Sequence, residues 1–320
     1  MLPTKSRQKS ALVAFSIMAC FASPAASETR PAIGSTWSSM TTGELITAAP
    51  ADAWQQIEQS QLLYLEFDPP AGSGTGPARV IIQLAPDFAP NHVAALKELV
   101  AKDFFNGKSI VRSQDNYVVQ WGDGPAATQA GFRGGQMTAE FDRPIGRDFK
   151  PFELKDGDVY APKVGFWRNW PVAWDPAQKR YWLPHCYAMV GAGRDEGADS
   201  GGPAELYAVN GHSPRGLDRN VTLLGRVVLG MEHFATLPRG GEAMGFYGET
   251  QSKPRIIRAV LGSQLPEREQ INLQALRTDH AIYPQVLESR RNRRDSWTKF
   301  KAGRLELCNA PLPVRIAPKE

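Results

Sequence analysis

The chain has 320 residues, with 37 basic and 33 acidic side chains, 29 glycines and 25 prolines. That length needs no disulfide scaffold, and the glycine and proline content excludes a coiled coil or helical bundle in favour of a loop-rich globular protein. Cys20, Cys186 and Cys308 show no Cys-x-x-Cys spacing, so neither a structural metal nor any cofactor is expected.

The chain begins with Lys5, Arg7 and Lys9, continues through an apolar run from Ala11 to Ala22, and reaches the small residues Ala25, Ala26 and Ser27. This is the three-part pattern of a secretory signal over residues 1–27. The apolar run is about 12 residues where a membrane span needs about 20, so no integral membrane span is expected. Met18 departs from the small residue of a lipoprotein box, so a lipid anchor at Cys20 is not the expected outcome. Without the leader, 34 basic residues face 33 acidic ones, which removes the case for a nucleic-acid partner. Export also leaves Cys186 and Cys308 as the remaining pair; two separate buried thiols are expected, with a disulfide the alternative.

Residues 28–61 read as an extended N-terminal arm. Leu62 to Phe67 and Arg79 to Leu84 read as a strand pair. Pro90, Val93, Leu96, Leu99 and Val100 mark an amphipathic helix. Ile110 to Arg112 and Tyr117 to Trp121 form two short strands around a polar turn. Further strands are expected at Cys186–Val190, Glu205–Val209, Thr222–Val228 and Ile256–Leu261, and short strands with one or two helices suggest a closed barrel. Between about residues 131 and 185 lies an insertion carrying Trp167, Trp170, Trp174 and Trp182 among prolines. Those rings could form a recognition surface, but covering the barrel wall is the favoured reading. Residues 263–320 read as a tail with helices over Glu267–Arg277 and Val286–Phe300. The cluster Arg290, Arg291, Arg293 and Arg294 reads as a solvated helix face.

Familiar catalytic patterns fail one by one. Gly191-Ala192-Gly193 has Glu196 where a dinucleotide loop needs its last glycine, and Ala198 stands where a nucleophile elbow around Ser200 needs its first. The five histidines include no His-x-x-x-His pair. What remains is Arg112 and Gln120, polar residues in strand-like apolar sequence that could share one face of a hairpin. A structural alternative ties Arg112 to a carboxylate such as Asp123.

At these residues the sequence resembles the cyclophilins, a family of peptidyl-prolyl cis-trans isomerases. Val80 to Val93 resembles the family's second strand and first helix. Ile110-Val111-Arg112 stands where it has Phe-His-Arg, and Tyr117-Val118-Val119-Gln120-Trp121-Gly122-Asp123 where it has Phe-Met-x-Gln-Gly-Gly-Asp. Glu205-Leu206-Tyr207-Ala208 is similar to its Gln-Phe-Phe-Ile strand, and Leu217-Asp218 with Leu224 to Met231 to its closing signature. The resemblance spans about residues 62–262. It implies a mainly β fold: an eight-stranded antiparallel closed barrel capped by two helices, here with a Trp/Pro-rich insertion and a helical tail. It implies rotation about X-Pro bonds as the reaction, with Arg112 and Gln120 catalytic and Tyr117, Val118, Glu205, Tyr207, Leu217 and Val221 binding the proline-containing polypeptide. Val111, Trp121, Glu205, Tyr207 and Val221 depart from the family's usual residues, and Gly216 replaces a tryptophan linked to cyclosporin binding. With the leader, the expectation is a periplasmic or secreted isomerase assisting the folding of exported proteins. The alternative is a catalytically weak or inactive module that binds proline-containing or apolar segments.

Overall fold

The computed structural model describes residues 37–69 and 76–318. The leader and Cys20 lie outside the described residues. In chain order the strands are β1 (Trp54–Gln56), β2 (Leu62–Phe67), β3 (Ala78–Leu84), β4 (Ile110–Ser113), β5 (Tyr117–Gly122), β6 (Arg143–Pro144), β7 (Phe152–Glu153) and β8 (Lys163–Trp167). They continue with β9 (Trp170–Asp175), β10 (Arg180–Trp182), β11 (Met189–Ala192), β12 (Glu205–Asn210), β13 (Leu223–Leu229), β14 (Ile256–Leu261), β15 (Leu273–Leu276) and β16 (Val314–Ile316). The helices are α1 (Thr42–Thr47), α2 (Pro90–Ala101), α3 (Gly124–Gln129), α4 (Met231–Ala235) and α5 (Tyr283–Arg291).

Eight strands form one antiparallel sheet in the order β14-β2-β3-β13-β11-β12-β5-β4. It curls nearly shut, because the chain around β4 bonds to the chain entering β14: Ile256 N–H donates to Lys108 O at 2.7 Å and Tyr247 N–H to Val111 O at 3.0 Å. This pairing satisfies the open edges. Period-2 alternation decides the inside. Leu63, Leu65 and Phe67 of β2 join Val80, Ile82 and Leu84 of β3 in the barrel core with Val93, Leu96, Leu99 and Val100 of α2. Phe234 of α4 plugs the same core, stacked on Phe67 and Trp121.

The other face of β2 is also buried. Leu62 and Tyr64 pack with Leu273 and Ala275, which belong to a three-stranded sheet, β1-β15-β16. The insertion forms a five-stranded sheet, β6-β10-β9-β8-β7. Its Trp167, Trp170 and Trp174 are buried with Phe88, Val118 and Tyr207 against the barrel wall, while Trp182 joins Leu45, Trp54, Tyr283 and Val286 in a second core shared by arm, insertion and tail. No ring of the four is left on the surface as a recognition patch.

Several local expectations change. The arm carries α1, started by a reciprocal Thr41 and Glu44 capping box. The strand expected at Cys186–Val190 begins at Met189, because Ala188 takes φ +68°, a left-handed turn incompatible with extended chain. Glu267–Arg277 is not a helix: after a turn at Glu267–Glu269 it becomes β15, whose Leu273 and Ala275 alternate inward. The second tail helix covers Tyr283–Arg291 and stops at Asn292, well short of Phe300. The two cysteines are not separate thiols. Cys186 and Cys308 are bonded, with Cα atoms 5.0 Å apart and a sequence separation of 122, tying the tail to the strand region beside β11.

One carboxylate fastens the insertion to α2. Ala89 at the helix start has no side-chain cap, and Glu140 supplies one from a distance: it accepts from Asn91 N–H at 3.1 Å, His92 N–H at 2.9 Å and His92 Nδ1 at 2.7 Å. Burial works to raise the Glu140 pKa, but these hydrogen bonds outweigh it and hold it below its usual value. Glu140→Gln is expected to lower stability by ~1 kcal/mol at neutral pH. Because the folded pKa is depressed, that gap is full above the ordinary value of 4.5 and closes as pH falls through the folded one, as urea melts of both proteins at several pH values would read. Cys186→Ser with Cys308→Ser is expected to cost ~2–5 kcal/mol, an unfolded-chain effect of so long a loop, measured by chemical denaturation in the absence of reductant.

Candidate active site

Register brings the predicted residues together. Arg112 lies opposite Gln120 across β4 and β5, and Gln120 lies opposite Tyr207 across β5 and β12, so the three form one row on the barrel's outer face. A register shift between Ile110 and Arg112 bends β4 at this point, as bulges beside sites do. Arg112, Gln120, Tyr117, Val118, Tyr207, Leu217 and Val221 line a single cavity of about 270 Å³. Glu205 is not in that lining; it stands behind Gln120.

Arg112 is not tied to a carboxylate. Asp123, the structural alternative, instead caps α3 through Ala126 N–H and takes Lys108 at 3.0 Å. Arg112 Nε donates to Met244 O at 2.7 Å, Nη1 to Gln120 Oε1 at 3.1 Å and Nη2 to Gln114 Oε1. Its planar face lies over the Tyr117 and Phe246 rings, at 5.4 and 5.2 Å. Three acceptors and two rings thus fix the guanidinium, and of five N–H donors two are left over. Burial pushes the Arg112 pKa down from its usual value, and the electrostatic influence of Tyr117 and Glu205 opposes that shift; the group stays cationic.

Gln120 is oriented from both ends. Its carbonyl accepts from Arg112 and its amide nitrogen donates to Glu205, which leaves one amide N–H available. The floor is Tyr207, whose phenol sits 2.9 Å from His185 Nε2. His185 is fully buried, its backbone N–H bonded to Asp218 Oδ1 at 2.8 Å and its Nδ1 3.2 Å from the same oxygen. Burial drives the Tyr207 pKa far above the usual phenol value, so it is a neutral hydroxyl. Gly191 makes room for it: a Cβ there would lie 2.4 Å from the phenol oxygen.

Sequence reading did not anticipate Ala192, Gly193 and Arg194, which also line the cavity, nor Gln114, His185 and Phe246. The Gly191-Ala192-Gly193 run was the available signal; its glycines serve close approach to Tyr207, Gln120 and Glu205 and no phosphate. Trp121, one of the departures from the family pattern, lies in the barrel core and does not touch the site. Among the described residues no group of three or more His, Cys, Asp or Glu is placed to hold a metal ion.

Comparison with known proteins agrees with the fold and with the family resemblance. The family model for cyclophilin type peptidyl-prolyl cis-trans isomerase matches residues 73–260, more than half of the chain. Probable peptidyl-prolyl cis-trans isomerases of Brucella suis biovar 1 and Brucella melitensis biotype 1 are each 26% identical over 183 residues, covering 57% of this chain and 76% of theirs. The crystal structure of cyclophilin AquaCyp293 from Hirschia baltica superposes with a TM-score of 0.60 at 21% identity, covering 83% of this chain and 95% of that one. That likeness of fold is broader than residues 73–260 and so takes in part of the additions to the barrel. With the barrel, its strand order and the family match in agreement, the chain belongs to the cyclophilin-type peptidyl-prolyl cis-trans isomerase family.

Proposed function

We propose that the chain accelerates rotation about X-Pro bonds of exported polypeptides at the Arg112 cavity, as a folding assistant in the periplasm. The observation that carries the reading is Arg112 itself: a cation held by Met244, Gln114 and Gln120 at the edge of a cavity lined by Tyr117, Val118, Tyr207, Leu217 and Val221. Resonance gives the prolyl C–N bond its barrier of ~18–20 kcal/mol. At the twisted geometry the nitrogen becomes pyramidal and carries a lone pair that the planar amide lacks. A fixed N–H donor aimed at that nitrogen stabilises the twisted state over the planar one, which lowers the barrier with no covalent step. The apolar wall receives the proline ring, and the remaining Gln120 amide N–H holds the carbonyl side of the substrate.

The leader pattern of residues 1–27 supports export, and the Cys186–Cys308 bond suits an oxidising compartment. A second reading, a module that holds proline segments without turnover, draws on Glu205, which occupies one Gln120 amide hydrogen.

Arg112→Ala is expected to lower kcat/KM for proline-containing peptides by about 10²–10³, the usual effect of losing a transition-state donor, with thermal stability unchanged. Arg112→Lys should fail to rescue, since an ammonium cannot reproduce the fork that Gln114, Gln120 and Met244 hold. Wild type with no rate enhancement, but with peptide binding that survives Arg112→Ala, establishes the binding module instead. Gly191→Ala is expected to push the Tyr207 ring into the cavity and raise KM for the same peptides, a steric effect that Gly191→Ala with Tyr207→Leu should partly reverse.

A further inference from the structure

The segment after α5 is unused by the isomerase reading. From Arg290 to Arg304 the chain has seven basic residues and one acidic residue, Asp295. Arg291 turns inward, where Asp156 and Glu288 hold it. Arg290, Arg293, Arg294, Lys299, Lys301 and Arg304 are all exposed. Arg293 pairs with Asp295 at 2.9 Å, and Lys299 bonds only to a backbone carbonyl. The side chains of the remaining four make no hydrogen bond or ion pair to another described residue, although the charge of Arg294 is felt by Glu288.

Two large aromatic side chains stand among these cations, Trp297 with the Arg293 guanidinium 5.6 Å from its ring centre. Trp297 is 79% and Phe300 93% exposed. They are not displaced core residues, because α5 already buries Tyr283, Val286 and Leu287 in the second core. Beside Trp297 is a concavity of about 450 Å³ whose lining includes Arg290, Arg293, Arg294 and the hydroxyl-bearing Thr42 and Ser289. Three arginines face one carboxylate, Asp295, in that lining, and Trp297 belongs to it.

Six exposed cations against one acid would suit any polyanion. The rings choose among them. At a bilayer surface an indole and a phenyl ring leave water for the boundary between headgroups and acyl chains, while arginine and lysine stay at phosphate depth. Each such cation is drawn to the negative surface potential of an anionic leaflet. Among the described residues no helix is long and apolar enough to cross a membrane, so the contact is peripheral.

We infer that residues 290–304 dock the protein on membrane surfaces bearing anionic phospholipids, with headgroup phosphates at Arg290, Arg293 and Arg294 and with Trp297 and Phe300 inserted at the interface. The docking is independent of the proline cavity and needs no isomerase activity.

Co-flotation with vesicles tests it, using the chain from residue 28 so that the leader's apolar run contributes nothing, with circular dichroism to confirm folding. The protein should float with phosphatidylcholine vesicles containing phosphatidylglycerol, stay in solution with phosphatidylcholine alone, and be released by high salt. Trp297→Ser with Phe300→Ser should weaken partitioning at least about tenfold, given ~1.5–3 kcal/mol for burying such a side chain. Arg290→Glu with Arg294→Glu should abolish it. Both variants should retain the wild-type rate of peptide isomerisation. Wild type that ignores phosphatidylglycerol vesicles, or aromatic variants that float as well as wild type, overturns the inference. Binding of a single-stranded oligonucleotide or polyglutamate with no vesicle binding also overturns it, leaving a polyanion patch.

Discussion

Arg215 is 3% exposed, and a cation so far from water must have its charge met on every side. Asp158 of the insertion takes both terminal nitrogens at 3.0 Å, and Asp218 takes Nε at 2.6 Å. Burial disfavours the charge, yet the two carboxylates outweigh that and raise the Arg215 pKa. Asp218 is then shared with His185, and His185 with the Tyr207 phenol. A single buried cation therefore links the insertion, the loop carrying Leu217 and the floor of the Arg112 cavity. Withdrawing any one member leaves a buried charge or dipole without its partner, at a cost of several kcal/mol for a charge. The cavity floor depends on the insertion being in place.

This makes the additions part of the enzyme's frame. A barrel strand such as β2 has its inner face in the barrel core and its outer face under β15. The insertion's tryptophans close over Phe88 and Val118, and the Cys186–Cys308 bond fastens the tail to the same wall. What looked like separable arm, insertion and tail share a second core.

The drift around Arg112 and Gln120 follows the same logic. Tyr207 in place of phenylalanine brings a hydroxyl into an apolar floor, a group that must be bonded when buried; His185, from the end of the insertion, supplies the partner. Glu205 in place of glutamine accepts from Gln120 and so orients its amide. Trp121 in place of glycine lies away from the cavity, because its ring is in the barrel core and stacks on Phe234.

The strand runs of β2, β3, β5, β12 and β13, the period of α2 and the eight-residue interval from Arg112 to Gln120 were all readable, since each depends on neighbours within one element or one hairpin. The Thr41–Glu44 capping box was present in the sequence too and passed unread. The tail misled because Glu267–Arg277 has good helix formers, and only pairing with β1 and β16 makes its second half a strand. Nothing local announces that Glu140 caps α2, that Asp158 meets Arg215, or that Cys186 meets Cys308 across 122 residues. The sequence alone determined the barrel strands, the Arg112–Gln120 interval and, by resemblance, the family. Tertiary structure decided how the additions brace the cavity, because a buried charge chooses its partner by proximity in space and leaves no periodic mark along the chain.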